Sequence, residues 1–244
     1  MIRVLLVAIG VLAAVPAFAD EEALRQVIQS RLGVRVEGIR PAPIPGLFEI
    51  RYRSRAGVRV IYSDAAGRMV VVGEIYDTER DVNLTEERVR KLSAIDFGKL
   101  PLDLAVRIRR GDGRRILAMF SDPYCPACRQ FEQTLRGIDD ITIYVFMYPV
   151  IRPERIDHSR SVWCSTNRGK AWLDLAASHV PKIPTASPDC ANPVDRVLAL
   201  GQVLGVNSTP TIFFANGERV SGGLPADRLK ALLDAVVGAK ERSK

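Results

Sequence analysis

One stretch limits what this chain can become. The run Arg115-Ile-Leu-Ala-Met-Phe120 leads through Ser121-Asp-Pro-Tyr into Cys125-Pro-Ala-Cys128, and the residues that follow have helical spacing. Two of the chain's four cysteines therefore stand where a strand hands over to a helix.

That position carries chemistry. The thiolate is the reactive form of cysteine, and a free thiol ionises only near pH ~8.5. A helix start offers unpaired N–H groups and the positive end of a dipole, which favour a thiolate. Pro126 fits the first helical turn. Cys125 is expected at the helix start with some exposure. Cys128 lies one turn on, on the face of Phe131 and Leu135, and is expected to be more buried. Such a pair can attack a foreign disulfide through Cys125 and release it through Cys128. Half of a zinc site is a weaker reading, because there is no second CxxC and the only histidines are His158 and His179. A static staple is weaker too, since so short a loop gains little chain entropy.

A second feature adds to this. In Val206-Asn-Ser-Thr-Pro-Thr-Ile-Phe-Phe214, Pro210 comes just before a strand-like run. Proline is tolerable at a strand start. A cis Thr209–Pro210 bond would leave the flanking backbone free to pair with an extended peptide.

The rest of the chain divides in two. Met1-Ile-Arg3, the apolar run Val4–Val15 and Ala17-Phe18-Ala19 read as a secretory leader cut after Ala19. The run is shorter than the ~20 residues a span requires, and no stable membrane insertion is expected. An exported chain can form disulfides. From Glu21 to Arg31 the apolar spacing is helical. Short alternating runs then follow from Val34 to Ile75, punctuated by Pro41–Gly46, Arg55–Gly57 and Asp64–Gly67. A helix capped by Thr85 is expected to run to Ile95 or Asp96, as a rod between two domains.

Ala105–Arg110 and Arg114–Phe120 read as strands joined by a tight turn at Gly-Asp-Gly113. A helix from about Cys125 to Arg136, a strand Ile141–Met147 and a helical stretch from about 153 to 204 come next. Thr211–Ala215 and Glu218–Val220 flank Asn216-Gly217 as a hairpin, and a helix closes the chain from about Pro225 to Val237. The formal charge of +7 is scattered in alternation with apolar residues, without basic–aromatic tracts, so nucleic acid is not an expected partner.

A strand before CPAC, Thr-Pro before a hairpin and a closing helix resemble the thioredoxin fold. The longer resemblance, over nearly the whole chain after the leader, is to the periplasmic disulfide isomerases of the DsbC/DsbG family. Pro41–Gly46 and Gly73–Asp77 resemble that family's dimerisation domain. Val162-Trp-Cys164 with Cys190 resembles the second cysteine pair of the DsbC branch, which is favoured, while Pro123–Phe131 is closer to DsbG.

The resemblance implies an α+β and α/β architecture. It comprises a leader (1–19), a small helix-plus-antiparallel-sheet dimerisation domain (20–80), a linker helix (81–100) and a thioredoxin-like catalytic domain with a helical insert (101–244). It implies a homodimer acting in the periplasm on misoxidised exported proteins, kept reduced by a DsbD-type membrane electron donor, with no cofactor and no metal. Cys125 would be the nucleophile, Cys128 the resolving thiol, and Thr209 and Pro210 the substrate-binding loop.

Cys164 and Cys190 read either as a second redox site or as a structural disulfide; the structural disulfide is expected, and it would contribute about 3–4 kcal/mol in the chain-entropy model. The acid that thioredoxin buries before its motif has no counterpart, Met119 taking its place. Other readings are a DsbG-like reductase of sulfenylated cysteines and a chaperone-type peptide-binding module. Asp122 and Tyr124 either tune Cys125 or are plain loop residues. His158 and His179 read as surface or helix residues, and Trp163 and Trp172 as packing.

Overall fold

The computed structural model describes residues 17–54, 57–178 and 180–242. The leader up to residue 16, and His179, lie outside the described residues. The chain divides into two compact units, one of residues up to 54 together with 59–74, the other chiefly of residues 75–244.

In the first unit, α1 (Ala17–Leu32) precedes β1 (Val36–Pro41), β2 (Leu47–Ser54), β3 (Gly57–Asp64) and β4 (Val70–Val71). The strands form one sheet in the order β1-β2-β3-β4, and the β1–β2 and β3–β4 pairs are antiparallel. Leu24 and Ile28, one turn apart, bury against Val36, Ile50 and Ile61. Gln29 accepts from the Val36 N–H at 3.0 Å and Arg25 donates to the Val36 carbonyl at 2.9 Å, tying the helix to its sheet.

The second unit opens with a two-stranded ribbon, β5 (Tyr76–Asp77) and β6 (Val82–Asn83), and with α2 (Leu84–Leu92). The cap of α2 differs from expectation. Asn83 accepts from the Glu86 N–H at 2.9 Å, whereas the Thr85 hydroxyl turns back to accept from Ile75 N–H at 2.9 Å. The helix is shorter than the sequence suggests, and it is docked. Arg90, 7% exposed, pairs with Glu218, and Arg228 pairs with Glu86 at 2.9 Å.

A five-stranded sheet follows, in the order β11-β10-β8-β9-β7. Its strands are β7 (Val106–Arg110), β8 (Arg115–Ser121), β9 (Ile141–Met147), β10 (Thr211–Phe214) and β11 (Arg219–Ser221). Interleaved are α3 (Pro126–Arg136), α4 (Ile156–Cys164), α5 (Arg168–Trp172), a π-helical turn (Leu173–Ala177), α6 (Val194–Val203) and α7 (Ala226–Arg242). The β8–α3–β9 crossover joins parallel neighbours.

Strand alternation builds two cores. Leu117 and Met119 of β8 face α3, α7 and Trp172, and Ala118 and Phe120 face Tyr148, Val197 and Phe213. Covered on both faces, β8 reads as an unbroken apolar run.

The hairpin expected between Ala105–Arg110 and Arg114–Phe120 does not form. β9 lies between them: Arg110 stands opposite Ile141 on one side and Arg115 opposite Ile141 on the other. The Gly-Asp-Gly link therefore crosses the end of β9, not a single interstrand gap. Gly111 and Gly113 take φ of +55° and +68°, and a Cβ at Gly111 would lie 2.1 Å from the Asp140 carboxylate. The Asn216-Gly217 hairpin does form. Gly217, at φ +86°, lets the Ile95 carbonyl approach within 1.9 Å of where a Cβ would be.

Candidate active site at the start of α3

The site grows from the end of β8. Cys125 is the N-cap residue of α3 with extended φ and ψ, and Pro126 follows as the first helical residue. The Cys125 carbonyl accepts the first helical bond, from Arg129 N–H at 3.0 Å.

The two thiols are not bonded to each other. Cys125 is 6% exposed, less open than the sequence suggests, because the Thr209 carbonyl faces it and accepts its S–H at 3.3 Å. Pro126 and Ala127 beside it are exposed. Cys128 is 1% exposed. Burial pushes its thiol up to about 12, opposed by the Ser121 hydroxyl, the Asp122 N–H and the Thr209 hydroxyl, which favour the thiolate; the neighbouring Cys125 raises it further. The Asp122 N–H lies 3.4 Å from its sulfur. Neither the Ser121 nor the Thr209 hydroxyl, both buried, has a hydrogen-bond partner. The Thr209–Pro210 bond is cis.

Asp122 is fully buried and braces the loop. One carboxylate oxygen accepts from the Tyr124 N–H at 2.7 Å, and the other from Val150 and Ile151 N–H, each at 2.7 Å. The segment after β9 is thereby fixed to the residue that precedes Cys125. The Tyr124 hydroxyl is hydrogen-bonded to His158 Nδ1. His158 lies on α4, as a helix residue, and is joined by this bond to Tyr124.

Glu132, one turn beyond Cys128, is 2% exposed and accepts from Trp172 Nε1–H at 2.6 Å. Burial pushes its carboxyl up to about 7, opposed by the Trp172 bond and by Arg110 and Arg136. Nothing in the sequence reading picked out Glu132, although a charge on the Cys128–Phe131–Leu135 face was the available signal.

Cys164 and Cys190 are joined in a disulfide with Cα atoms 5.8 Å apart, 26 residues apart in sequence. No group of three or more acidic, histidine or cysteine side chains among the described residues could hold a metal. No described helix is long and apolar enough to cross a membrane.

A thiol at the N-cap position, a second thiol one turn deeper and a carbonyl opposite the first make a dithiol suited to exchange with disulfides. Comparison with known proteins agrees. Residues 15–86 match the disulfide bond isomerase protein N-terminal domain, and residues 102–237 match a thioredoxin-like domain. The probable thiol:disulfide interchange protein DsbC of Bordetella pertussis is 42% identical over 214 residues, covering 84% of this chain and 73% of the relative.

The chain belongs to the DsbC family.

The DsbC of Escherichia coli K12 is 26% identical, covering 89% of each chain. Among solved structures, a disulfide interchange protein from Neisseria gonorrhoeae is 36% identical with a TM-score of 0.53, over 56% of this chain and 97% of that one. The DsbC family assignment agrees with both halves of the architecture, the helix-plus-sheet unit and the thioredoxin-like unit with its inserted helices.

Proposed function

We propose that this chain isomerises or reduces wrong disulfides in exported proteins, with Cys125 as nucleophile and Cys128 as resolving thiol. The observation that carries the reading is the N-cap position of Cys125 above the buried Cys128. The Cys125 thiolate attacks one sulfur of a substrate disulfide. A Cys125–substrate disulfide forms, and the other substrate sulfur leaves as a thiolate that takes up a proton. A substrate thiol then attacks the substrate sulfur of that bond, giving a rearranged disulfide and freeing Cys125. Alternatively the Cys128 thiolate attacks Cys125 sulfur, giving reduced substrate and an oxidised pair. Thr209 and Pro210 receive the extended substrate backbone beside Cys125. Cys164–Cys190 holds the insert and takes no part in exchange.

The working compartment in this reading is the periplasm, reached through the 1–19 leader, and a DsbD-type membrane donor returns the pair to its reduced form. The domain limits follow the same reading, with 20–80 for dimerisation, 81–100 for the linker and 101–244 for catalysis. Support for a homodimer comes from the matched N-terminal domain and from β4 at the end of its sheet, where Met69, Val71 and Val72 are 66%, 50% and 82% exposed.

The test is recovery of activity by a scrambled multi-disulfide protein incubated with the reduced mature chain or with Cys125→Ser. Recovery that disappears in the variant supports the reading. No recovery with either, despite an oxidisable Cys125–Cys128 pair, sinks isomerisation and moves the assignment to a reductase of sulfenylated cysteines or a peptide-binding chaperone.

A further inference from the structure

We infer that the face formed by Tyr124, Val150, Ile151, Arg152 and Arg155 selects substrate chains that carry an apolar and an acidic residue near the attacked cysteine. The inference rests on the proposed exchange at Cys125.

Three observations carry it. The face is built, because the buried Asp122 carboxylate holds the backbone of Tyr124 and of Val150–Ile151 together through three N–H bonds of 2.7 Å. It is apolar where apolar groups are costly: Val150 is 43% and Ile151 51% exposed, and both donate to Asp122, three residues before the nucleophile. Its charge is uncompensated. Arg152 and Arg155 are both exposed, and their guanidinium carbons lie 5.9 and 5.2 Å from the Tyr124 ring centroid. Among the described residues no carboxylate pairs with either, although Glu154 stands between them in sequence. Arg160, one turn further on, is paired with both Asp157 and Asp195.

The Tyr124 ring therefore holds two guanidinium groups that no carboxylate pairs, at the residue that precedes the nucleophile. The complementary occupant is an extended segment of an unfolded protein. Its apolar side chain lies on Val150 and Ile151, and its carboxylate meets the arginine fork.

Three peptides of one length test this. Each carries one cysteine as its 2-pyridyl disulfide, a neighbouring leucine, and Glu, Gln or Lys at the second and third positions from the cysteine. The Cys125 thiolate attacks the peptide sulfur, forming a protein–peptide disulfide and releasing 2-thiopyridone, whose absorbance gives the rate. With the reduced full chain, the Glu peptide reacts about tenfold faster than the Lys peptide at low salt and about twofold faster near 0.5 M salt. Arg152→Gln with Arg155→Gln brings the low-salt ratio to within about twofold. The charge-matched control Lys230→Gln with Arg242→Gln, both on α7, keeps the tenfold ratio. Serine in place of leucine slows the Glu peptide several-fold, except in Val150→Ser with Ile151→Ser.

Equal rates for the Glu and Lys peptides overturn the inference and leave exchange at Cys125 standing. So does a control pair that loses as much selectivity as the arginine pair. No release from any peptide overturns the exchange reading itself.

Discussion

Trp172 and Glu132 meet through one 2.6 Å hydrogen bond inside a core of apolar side chains, both almost completely buried. Burial raises the Glu132 carboxyl from 4.5 to about 7, despite the Trp172 bond and the arginines nearby. The folded state therefore holds a proton that the unfolded state gives up. This contribution to stability is fully present below pH 4.5, is lost as pH rises toward 7, and levels off above that. Its size is on the order of 3 kcal/mol. Glu132→Gln keeps an acceptor for Trp172 and cannot ionise. Urea unfolding of wild type and variant at several pH values is expected to give curves that diverge between pH 5 and 7, with the variant more stable at the upper end. Parallel curves would show that Glu132 ionises as freely in the fold as outside it.

The Ser121 hydroxyl is buried without a hydrogen-bond partner, and it favours the Cys128 thiolate over the thiol. On the proposed mechanism it helps Cys128 release its proton and attack Cys125. Ser121→Ala removes the donor that would bond the Cys128 thiolate, worth about 1 kcal/mol, or roughly fivefold in rate. The mixed disulfide at Cys125 is expected to persist about fivefold longer, as read by acid quench and mass, while unfolding stability stays within about 0.5 kcal/mol. An unchanged lifetime would remove Ser121 from the reaction. In wild type the same decay is expected to speed up with pH and show no plateau by about pH 9, because burial holds the Cys128 thiol well above its ordinary range.

Asp122 joins two segments that are distant in sequence. Asp122→Asn leaves one acceptor oxygen where the structure uses two, so either Tyr124 or the Val150–Ile151 pair loses its anchor. A cost of about 1–3 kcal/mol is expected in urea unfolding, together with slower reaction of Cys125 toward a peptide disulfide. Full stability and full rate in the variant would show that the loop holds its shape without the carboxylate.

The sequence made some of this legible and hid the rest for definite reasons. Cys125, Cys128 and the Thr209–Pro210 loop announce themselves through spacing and strand context, which are local. The β10–β11 hairpin was equally plain, because Asn216-Gly217 fixes the turn on the spot. The β7–β8 pairing was misread because Gly111-Asp-Gly113 looks like a hairpin link, whereas the strand that separates the pair, Ile141–Met147, comes later in the chain. Asp122 could not be interpreted for the same reason: its acceptors serve N–H groups 28 and 29 residues away. Glu132 was overlooked although its spacing from Cys128 placed it on the buried face of the helix. The cap of α2 moved from Thr85 to Asn83 because the ribbon before it claims the threonine hydroxyl.

The Cys164–Cys190 bond closes a loop that holds α5 and the π-helical turn between its ends. That turn is also gripped from α3. Arg129 donates to the Leu175 and Ser178 carbonyls, and Gln133 and Arg136 donate to the Ala177 carbonyl. Loss of the disulfide should therefore loosen the 178–193 segment without dismantling the helix that carries Cys125. Cys164→Ala with Cys190→Ala is expected to cost about 3 kcal/mol of unfolding free energy in the chain-entropy model. Below the unfolding transition, the rate of Cys125 with a peptide disulfide should stay within about twofold of wild type, since the proposed mechanism gives neither cysteine a part in exchange. Chemical unfolding and single-turnover exchange on the same preparation separate the two effects. A large fall in exchange rate at unchanged stability would give the second pair a part in the redox cycle and overturn its purely structural role.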